Sequence, residues 1–243
     1  MQASGNSHEK INIYISIATR IDEGRGAAAR DKLASPTISS QEGMQLELWD
    51  GQMSLYDDNP QREVGAERKV IVFDLETQRS FDEVGGRSQM HRLGVSVGVA
   101  YRYDTDEFLI YTEDNILELV ELLLQADLVV GYNIKGFDYE VLRGYSDEDL
   151  QKLPTFDMMY DLEDRLGFRP KLESVAVPSL GGGKSADGLQ ALEWWRQGEI
   201  DKIVEYCRED VRVTRDLYDF GKRNRCVLVS RFGGKPRQVA VEW

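Results

Sequence analysis

Asp74 and Glu76 lie two positions apart, directly after the apolar run Val70-Ile71-Val72-Phe73. Successive side chains of a strand alternate between its faces, so both carboxylates point to the same side. Two ionised groups at the end of a buried strand are tolerable only where a cation or a hydrogen-bonding partner satisfies them. The spacing alone is common: Asp138-Tyr139-Glu140 and Asp161-Leu162-Glu163 share it without an apolar strand before them, and on that count read as surface charge. A second group is Gly131-Tyr132-Asn133-Ile134-Lys135-Gly136-Phe137-Asp138, which leaves the apolar Leu128-Val129-Val130 and enters an amphipathic stretch with Val141 and Leu142. Its plainest reading is a strand-to-helix loop capped by Asp138. The third group is Tyr206-Cys207-Arg208-Glu209-Asp210. Residues four apart share a helix face, so this phenol and this carboxylate can enter one cavity. Tyr145/Asp149 and Tyr160/Asp164 repeat the spacing, but only Tyr206/Asp210 lies on a long helix with an apolar stripe, formed by Ile203, Cys207, Thr214 and Leu217.

The elements that must position these groups are legible from Lys69 onward. Val70–Phe73 is almost wholly apolar, as in a central strand buried on both faces. Leu93 to Tyr103 alternates, with Leu93, Val95, Val97, Val99 and Tyr101 on one face, and Phe108 to Tyr111 reads as a third strand. Leucines at helical spacing (Leu119, Leu122, Leu123) place a helix over 116–125, and Leu128 to Val130 returns to strand. Three strands, a helix and a further strand imply a mixed sheet. The last third is mainly helical from Ala191 to Phe220 and closes on a β-hairpin, Val227–Val229 and Val239–Val241 around Gly233-Gly234. Residues 1–68 differ: they are small, polar and charged, and read as a weakly structured N-terminal arm before a folded domain at 69–243. Within the arm, Ile11, Ile13, Ile15 and Ile17 alternate as in an edge strand, and Asp50-Gly51 suits a tight hairpin turn.

Composition narrows the function. With 243 residues, 41% of them hydrophobic, the chain can bury the core of a medium domain. No run of about 18 apolar residues exists and the polar start lacks a secretory signal, so a soluble, cytoplasmic protein with no membrane partner is expected. Cys207 and Cys226 are too few for a disulfide framework and belong to no zinc motif, and His8 and His91 leave few candidates for a histidine base. Thirty Lys and Arg face 43 Asp and Glu, a net charge of −13, which argues against a nonspecific DNA coat. A metal-dependent nuclease is compatible with that sign, because bound cations reverse the field at its centre.

In their order the three groups resemble the sequence motifs of the DEDD, or DnaQ-like, 3′ to 5′ exonucleases of the ribonuclease-H-like superfamily, over roughly residues 69 to 220. Asn-x-x-x-Phe-Asp followed by Tyr-x-x-x-Asp is similar to the tyrosine (DEDDy) subgroup, as in the proofreading domains of B-family DNA polymerases. Neither histidine lies near Asp210, which excludes the histidine subgroup. The stretches Asp74 to Gly86 and Gly188 to Trp195 resemble, more narrowly, the stand-alone YprB-type domains.

The resemblance implies an α/β ribonuclease-H-like fold, a central mixed sheet flanked by helices. It further implies that Asp74, Glu76, Asp138 and Asp210 ligate two divalent cations and that Tyr206 orients the attacking water. Leu75, Asn133 and Phe137 would contact the terminal nucleotide. Four carboxylates from separated segments would repel one another without cations, and an all-oxygen shell suits Mg²⁺ or Mn²⁺, whereas zinc would recruit His or Cys. A phenol is a poor base at neutral pH, so activation of water is expected to fall to the cations. The implied activity is 3′ to 5′ hydrolysis of single-stranded DNA or RNA. The rivals are a non-catalytic nucleic-acid-binding module of the same fold, a structure-specific endonuclease, and a nucleotide-hydrolysing switch.

The switch reading depends on Gly181-Gly182-Gly183-Lys184-Ser185, which fails as a phosphate loop because Pro178 stands where a glycine is needed and no buried strand precedes it. Trp194 and Trp195, about 100° apart on a helix, read as packing. Gln45–Trp49 and Gln52–Tyr56 resemble the short peptides with which bacterial replication proteins dock on the sliding clamp, an expectation that competes with the hairpin. After Gly221 six Lys and Arg face Glu242 alone, a tail that either guides a phosphate backbone or protects a hairpin edge.

Overall fold

The computed structural model describes residues 68–181, 188–231 and 234–243. The edge strand and hairpin expected in the arm, both clamp-like peptides (Gln45–Trp49 and Gln52–Tyr56) and most of Gly181–Ser185 lie outside those residues. In chain order come β1 (Val70–Thr77), α1 (Phe81–Val84), β2 (Val95–Arg102), β3 (Glu107–Tyr111), α2 (Ile116–Leu124), β4 (Leu128–Gly131), α3 (Asp138–Leu142) and β5 (Thr155–Asp157). Then follow α4 (Met158–Leu166), α5 (Leu172–Leu180), α6 (Gly188–Gln197), α7 (Ile200–Asn224), β6 (Cys226–Val229) and β7 (Arg237–Ala240). The strands form a five-stranded sheet in the order β3-β2-β1-β4-β5, with β6 and β7 as a separate hairpin. β1 holds the centre, antiparallel to β2 and parallel to β4. This is the mixed α/β arrangement expected from the sequence, a central sheet flanked by helices with a C-terminal hairpin.

Alternation along β1 sorts the protein into two cores. Ile71, Phe73 and Leu75 belong to the apolar cluster that includes Leu119 and Leu123 of α2 and Tyr139 and Leu142 of α3. Val72 belongs to the cluster on the other face, with Val97 and Val99 of β2 and Ile203, Cys207, Val211 and Leu217 of α7. Counting on by two from Val72 reaches Asp74 and then Glu76, so the carboxylates continue the series that α7 covers. α7 buries Ile203, Cys207, Val211, Thr214 and Leu217, a stripe at three- and four-residue steps, and spends it on this face of the sheet.

Three differences from the sequence reading bear on the site. β1 runs on to Thr77, because Asp74 and Glu76 continue the ladder opposite Val99 and Val97, and Thr77, not Glu76, ends the strand. β5 was not foreseen: three residues after Pro154, pairing in parallel with β4, are too few to show a period. The helical last third breaks at Gly198, which takes φ 74°, and so divides into α6 and α7.

Candidate metal centre

Carboxylate oxygens of Asp74, Glu76 and Asp210 lie within 4.8 Å of one another. Two arrive through the β1 alternation and the third from α7, which crosses over the same face. Cys207, one turn before Val211 on α7, brings its thiol to 3.4 Å from the Asp74 carbonyl oxygen and 3.8 Å from its Oδ2. The stripe that packs α7 on the sheet is thus also what brings Asp210 to the two strand carboxylates.

Asp138 comes from the opposite layer. It opens α3, only 2% exposed, and accepts the Leu75 N–H at 3.2 Å. It is therefore tied to the backbone between Asp74 and Glu76, a buried carboxylate at the strand and more than the helix cap of the plainest reading. The loop delivering it is shaped by close approach: a Cβ on Gly131 would run into Ile134, which folds back over it. Asn133 takes the left-handed conformation at φ 67°.

The group holding that loop was missed in the sequence. Asp157, at the end of β5 and 5% exposed, accepts N–H bonds from Asn133 (2.8 Å), Lys135 (3.0 Å) and Met159 (3.1 Å). One carboxylate thus fixes the left-handed turn, the middle of the loop and the start of α4. Its available signal was an Asp directly before a helical stretch, the pattern of an N-cap.

The centre opens into a cleft of about 610 Å³ at the carboxyl ends of β1 and β4, where ligands bind in sheets of this kind. Asp74, Leu75, Glu76, Asn133, Phe137, Asp138 and Asp210 all line it. Phe81 joins them, its ring 6.0 Å from that of Phe137 and edge-on, while Leu189 and Leu192 bring α6 to the wall. Arg169 and Lys171 form a basic side. Tyr206 lies one turn before Asp210 on α7, outside the lining residues, with its ring edge-on to Trp194 at 6.1 Å. Trp194 is thus packing, as its sequence context suggested.

Burial holds the Asp74 and Glu76 carboxyls well above the usual range, and the neighbouring carboxylates push in the same direction. Asp138 is raised too, chiefly by burial, against the N–H groups that it accepts. Burial likewise drives the Cys207 thiol up, so it stays protonated. Such a group of acids is unfavourable by itself and is what a hard, oxygen-seeking cation relieves. The residues therefore fit a divalent metal, and the thiol, being neutral, does not alter the oxygen character of the set.

A family model described as the RNase_H superfamily matches residues 71–220. The chain belongs to the RNase H superfamily. Proteins of this RNase H fold are usually nucleases that use divalent metal ions, and such a fold implies nucleic-acid binding. Asp74, Glu76 and Asp210 supply the matching acidic cluster. A similar solved structure is the family B DNA polymerase from the hyperthermophilic archaeon Pyrobaculum calidifontis, 20% identical over 64% of this chain, with a TM-score of 0.49. The match spans 24% of that polymerase chain. No curated protein sequence matches this one. Among the described residues no helix is long and apolar enough to cross a membrane.

Proposed function

We propose that this RNase H domain, at 69–243, is a 3′ to 5′ exonuclease of the DEDDy type that uses two Mg²⁺ or Mn²⁺ ions on single-stranded DNA or RNA. The observation that carries the reading is the gathering of Asp74, Glu76 and Asp210 within 4.8 Å, with Asp138 bonded to the strand between the first two. When bound, the divalent ions supply counter-charge for the attacking and leaving oxygens of the phosphodiester. Asp74, Glu76, Asp138 and Asp210 would hold them, with Leu75 N–H fixing the Asp138 carboxylate in place. Tyr206, on the same helix face as Asp210, orients the water. Phe137, with Phe81 edge-on to it, offers an aromatic wall for the terminal base, and Asn133, held in its turn by Asp157, offers an amide to it. Leu75 supports the sugar from the floor of the cleft.

The test is digestion of 5′-labelled single strands of DNA and RNA with Mg²⁺ or Mn²⁺. A ladder shortening from the 3′ end, lost in Asp74→Ala, is expected. Discrete internal cuts would instead assign an endonuclease, and binding without cleavage in either metal would assign a non-catalytic module.

A further inference from the structure

A nucleic-acid strand is a polyanion, and this chain carries −13, so a strand approaching the cleft needs a local strip of opposite sign. The described residues hold one that borders the cleft. Lys171, in the cleft wall and exposed, immediately precedes α5. Arg169 shares that wall, but Glu163 at 2.9 Å matches its charge. α5 then leads to the C-terminal hairpin. The Ser174 carbonyl accepts the Ser230 N–H at 2.8 Å, and farther along Ser179 Oγ and Leu228 exchange two bonds, at 3.1 and 2.8 Å. Arg231 follows Ser230 and lays its guanidinium 4.6 Å over the ring of Phe168, in the same segment as Arg169 and Lys171. Ser230 Oγ donates to the Gly234 carbonyl at 2.8 Å, closing the turn, after which Lys235 and Arg237 stand exposed.

Among the described residues no carboxylate lies within ion-pair distance of Lys171, Lys235 or Arg237. The exposed Glu173 is the acid in this stretch of α5, and Lys171, Lys235 and Arg237 outnumber it. Lys171 and Ser174 are three residues apart, about 4.5 Å along the helix axis. The hairpin is thereby joined to the segment that forms the cleft wall.

We infer that Lys171, Arg231, Lys235 and Arg237 form a track for the sugar-phosphate backbone of the single strand whose 3′ end lies in the cleft, gripping it a few nucleotides upstream of that end. The inference rests on the nuclease reading for the position of the end. Of the two roles open to the basic tail, it selects the phosphate guide. A track of this kind reads charge and not sequence, so DNA and RNA are both held, and the affinity depends steeply on salt.

The full-length protein is titrated, with EDTA present so that no strand is cut, into 5′-fluorescein DNA and RNA 16-mers at several salt concentrations, and anisotropy is read. In Arg231→Ala/Lys235→Ala/Arg237→Ala, binding is expected to weaken tenfold or more at low salt. The slope of log K against log salt should shrink by about 2, at about 0.7 per lost phosphate contact. Lys235→Glu/Arg237→Glu, which leaves the Arg231–Phe168 contact in place, should weaken binding in the same direction. Photo-crosslinking of the wild-type protein to strands carrying a thiolated base two to six nucleotides from the 3′ end should label peptides within 228–243. Unchanged affinity and slope in both variants, or crosslinks that fall elsewhere on a wild-type protein that cuts, would overturn the track and leave the nuclease intact. Hairpin crosslinks on a protein that cuts nothing in any metal would keep the track and remove the nuclease.

Discussion

Two sets of carboxylates lie at the same end of the sheet, Asp157 buried and Asp74 and Glu76 half-buried against the cleft, and they are treated differently. Asp157, at the end of β5, accepts N–H groups from Asn133, Lys135 and Met159, so the fold completes its hydrogen bonding from within. Asp74 and Glu76, two strands away in β1, instead face Asp210, and Asp74's carboxylate has the Cys207 thiol at 3.8 Å. Burial raises the pKa of all three of Asp74, Glu76 and Asp157, but in Asp157 backbone N–H donors, those of Lys135 and Asn133 foremost, work against the shift, whereas around Asp74 and Glu76 the neighbouring acids add to it. The contrast separates a carboxylate that serves the backbone from carboxylates that serve a guest. The sign of what surrounds each one distinguishes them: N–H donors around Asp157, further carboxylates around Asp74 and Glu76.

The sharpest way to break this contrast is to neutralise one acid of the second set. Glu76→Gln keeps the shape and removes a charge that the fold does not need. Activity in Mg²⁺ is expected to fall about a thousandfold, while the melting temperature in EDTA rises, because repulsion with Asp210 and Asp138 is gone. A gel assay and a thermal melt on the same preparation check both; a fall in both activity and stability would place Glu76 with Asp157 instead.

The mirror-image change is Asp157→Ala. It strands the N–H groups of Asn133, Lys135 and Met159 in a buried site, and a loss of about 3 kcal/mol in urea unfolding is expected, with and without metal. Asp157→Asn, which keeps an acceptor oxygen, should recover part of it. An unfolding midpoint unmoved by Asp157→Ala would refute the structural assignment.

A third prediction follows from the direction of the shifts. With folded pKa values raised, Asp74, Glu76 and Asp138 favour the folded state fully below their unfolded values, near 4, and lose that contribution as pH rises through the folded values. The cation-free protein should therefore melt at progressively lower temperature from pH 4 towards neutral. Mn²⁺ at a hundred times its dissociation constant should restore about 2.7 kcal/mol at pH 7, and Glu76→Gln should flatten both responses. Melting curves across pH, in EDTA and in Mn²⁺, decide it.

How much of this was legible in the sequence depends on how local each signal is. The alternation of Val72, Asp74 and Glu76 is a short-range pattern that the structure places as read; the Tyr206/Asp210 spacing is equally local, but of that pair only Asp210 is among the residues lining the cleft. The central strand, the mixed sheet and the closing hairpin followed from apolar runs long enough to show a period. Asp157 did not, because its loop partners Asn133 and Lys135 sit 20-odd residues earlier in the chain and its strand is three residues long. The basic wall at Arg169 and Lys171 was equally hidden: only packing of α4 and α5 brings it to the carboxyl end of β1. The assignment of Asp138 needed both kinds of information. Its place in the loop is a sequence pattern, but its bond to Leu75 joins positions 63 residues apart.

Tyr206 gives the finest test, since one part of it belongs to each set. Its ring packs on Trp194, which is a structural contact, whereas the proposed role in orienting water belongs to the hydroxyl alone. Tyr206→Phe keeps the ring and removes only the oxygen. If the hydroxyl serves the site, kcat should drop about tenfold, the scale of one lost positioning hydrogen bond of roughly 1.4 kcal/mol. Metal affinity by calorimetry and the melting temperature should then both stay put, because the four carboxylates and the Trp194 contact are untouched. Trp194→Ala should show the reverse order, with stability falling first and kcat following through the loosened ring. A Tyr206→Phe protein that turns over at the wild-type rate but melts lower would move the whole side chain to the structural set and leave the carboxylates to act without a phenol.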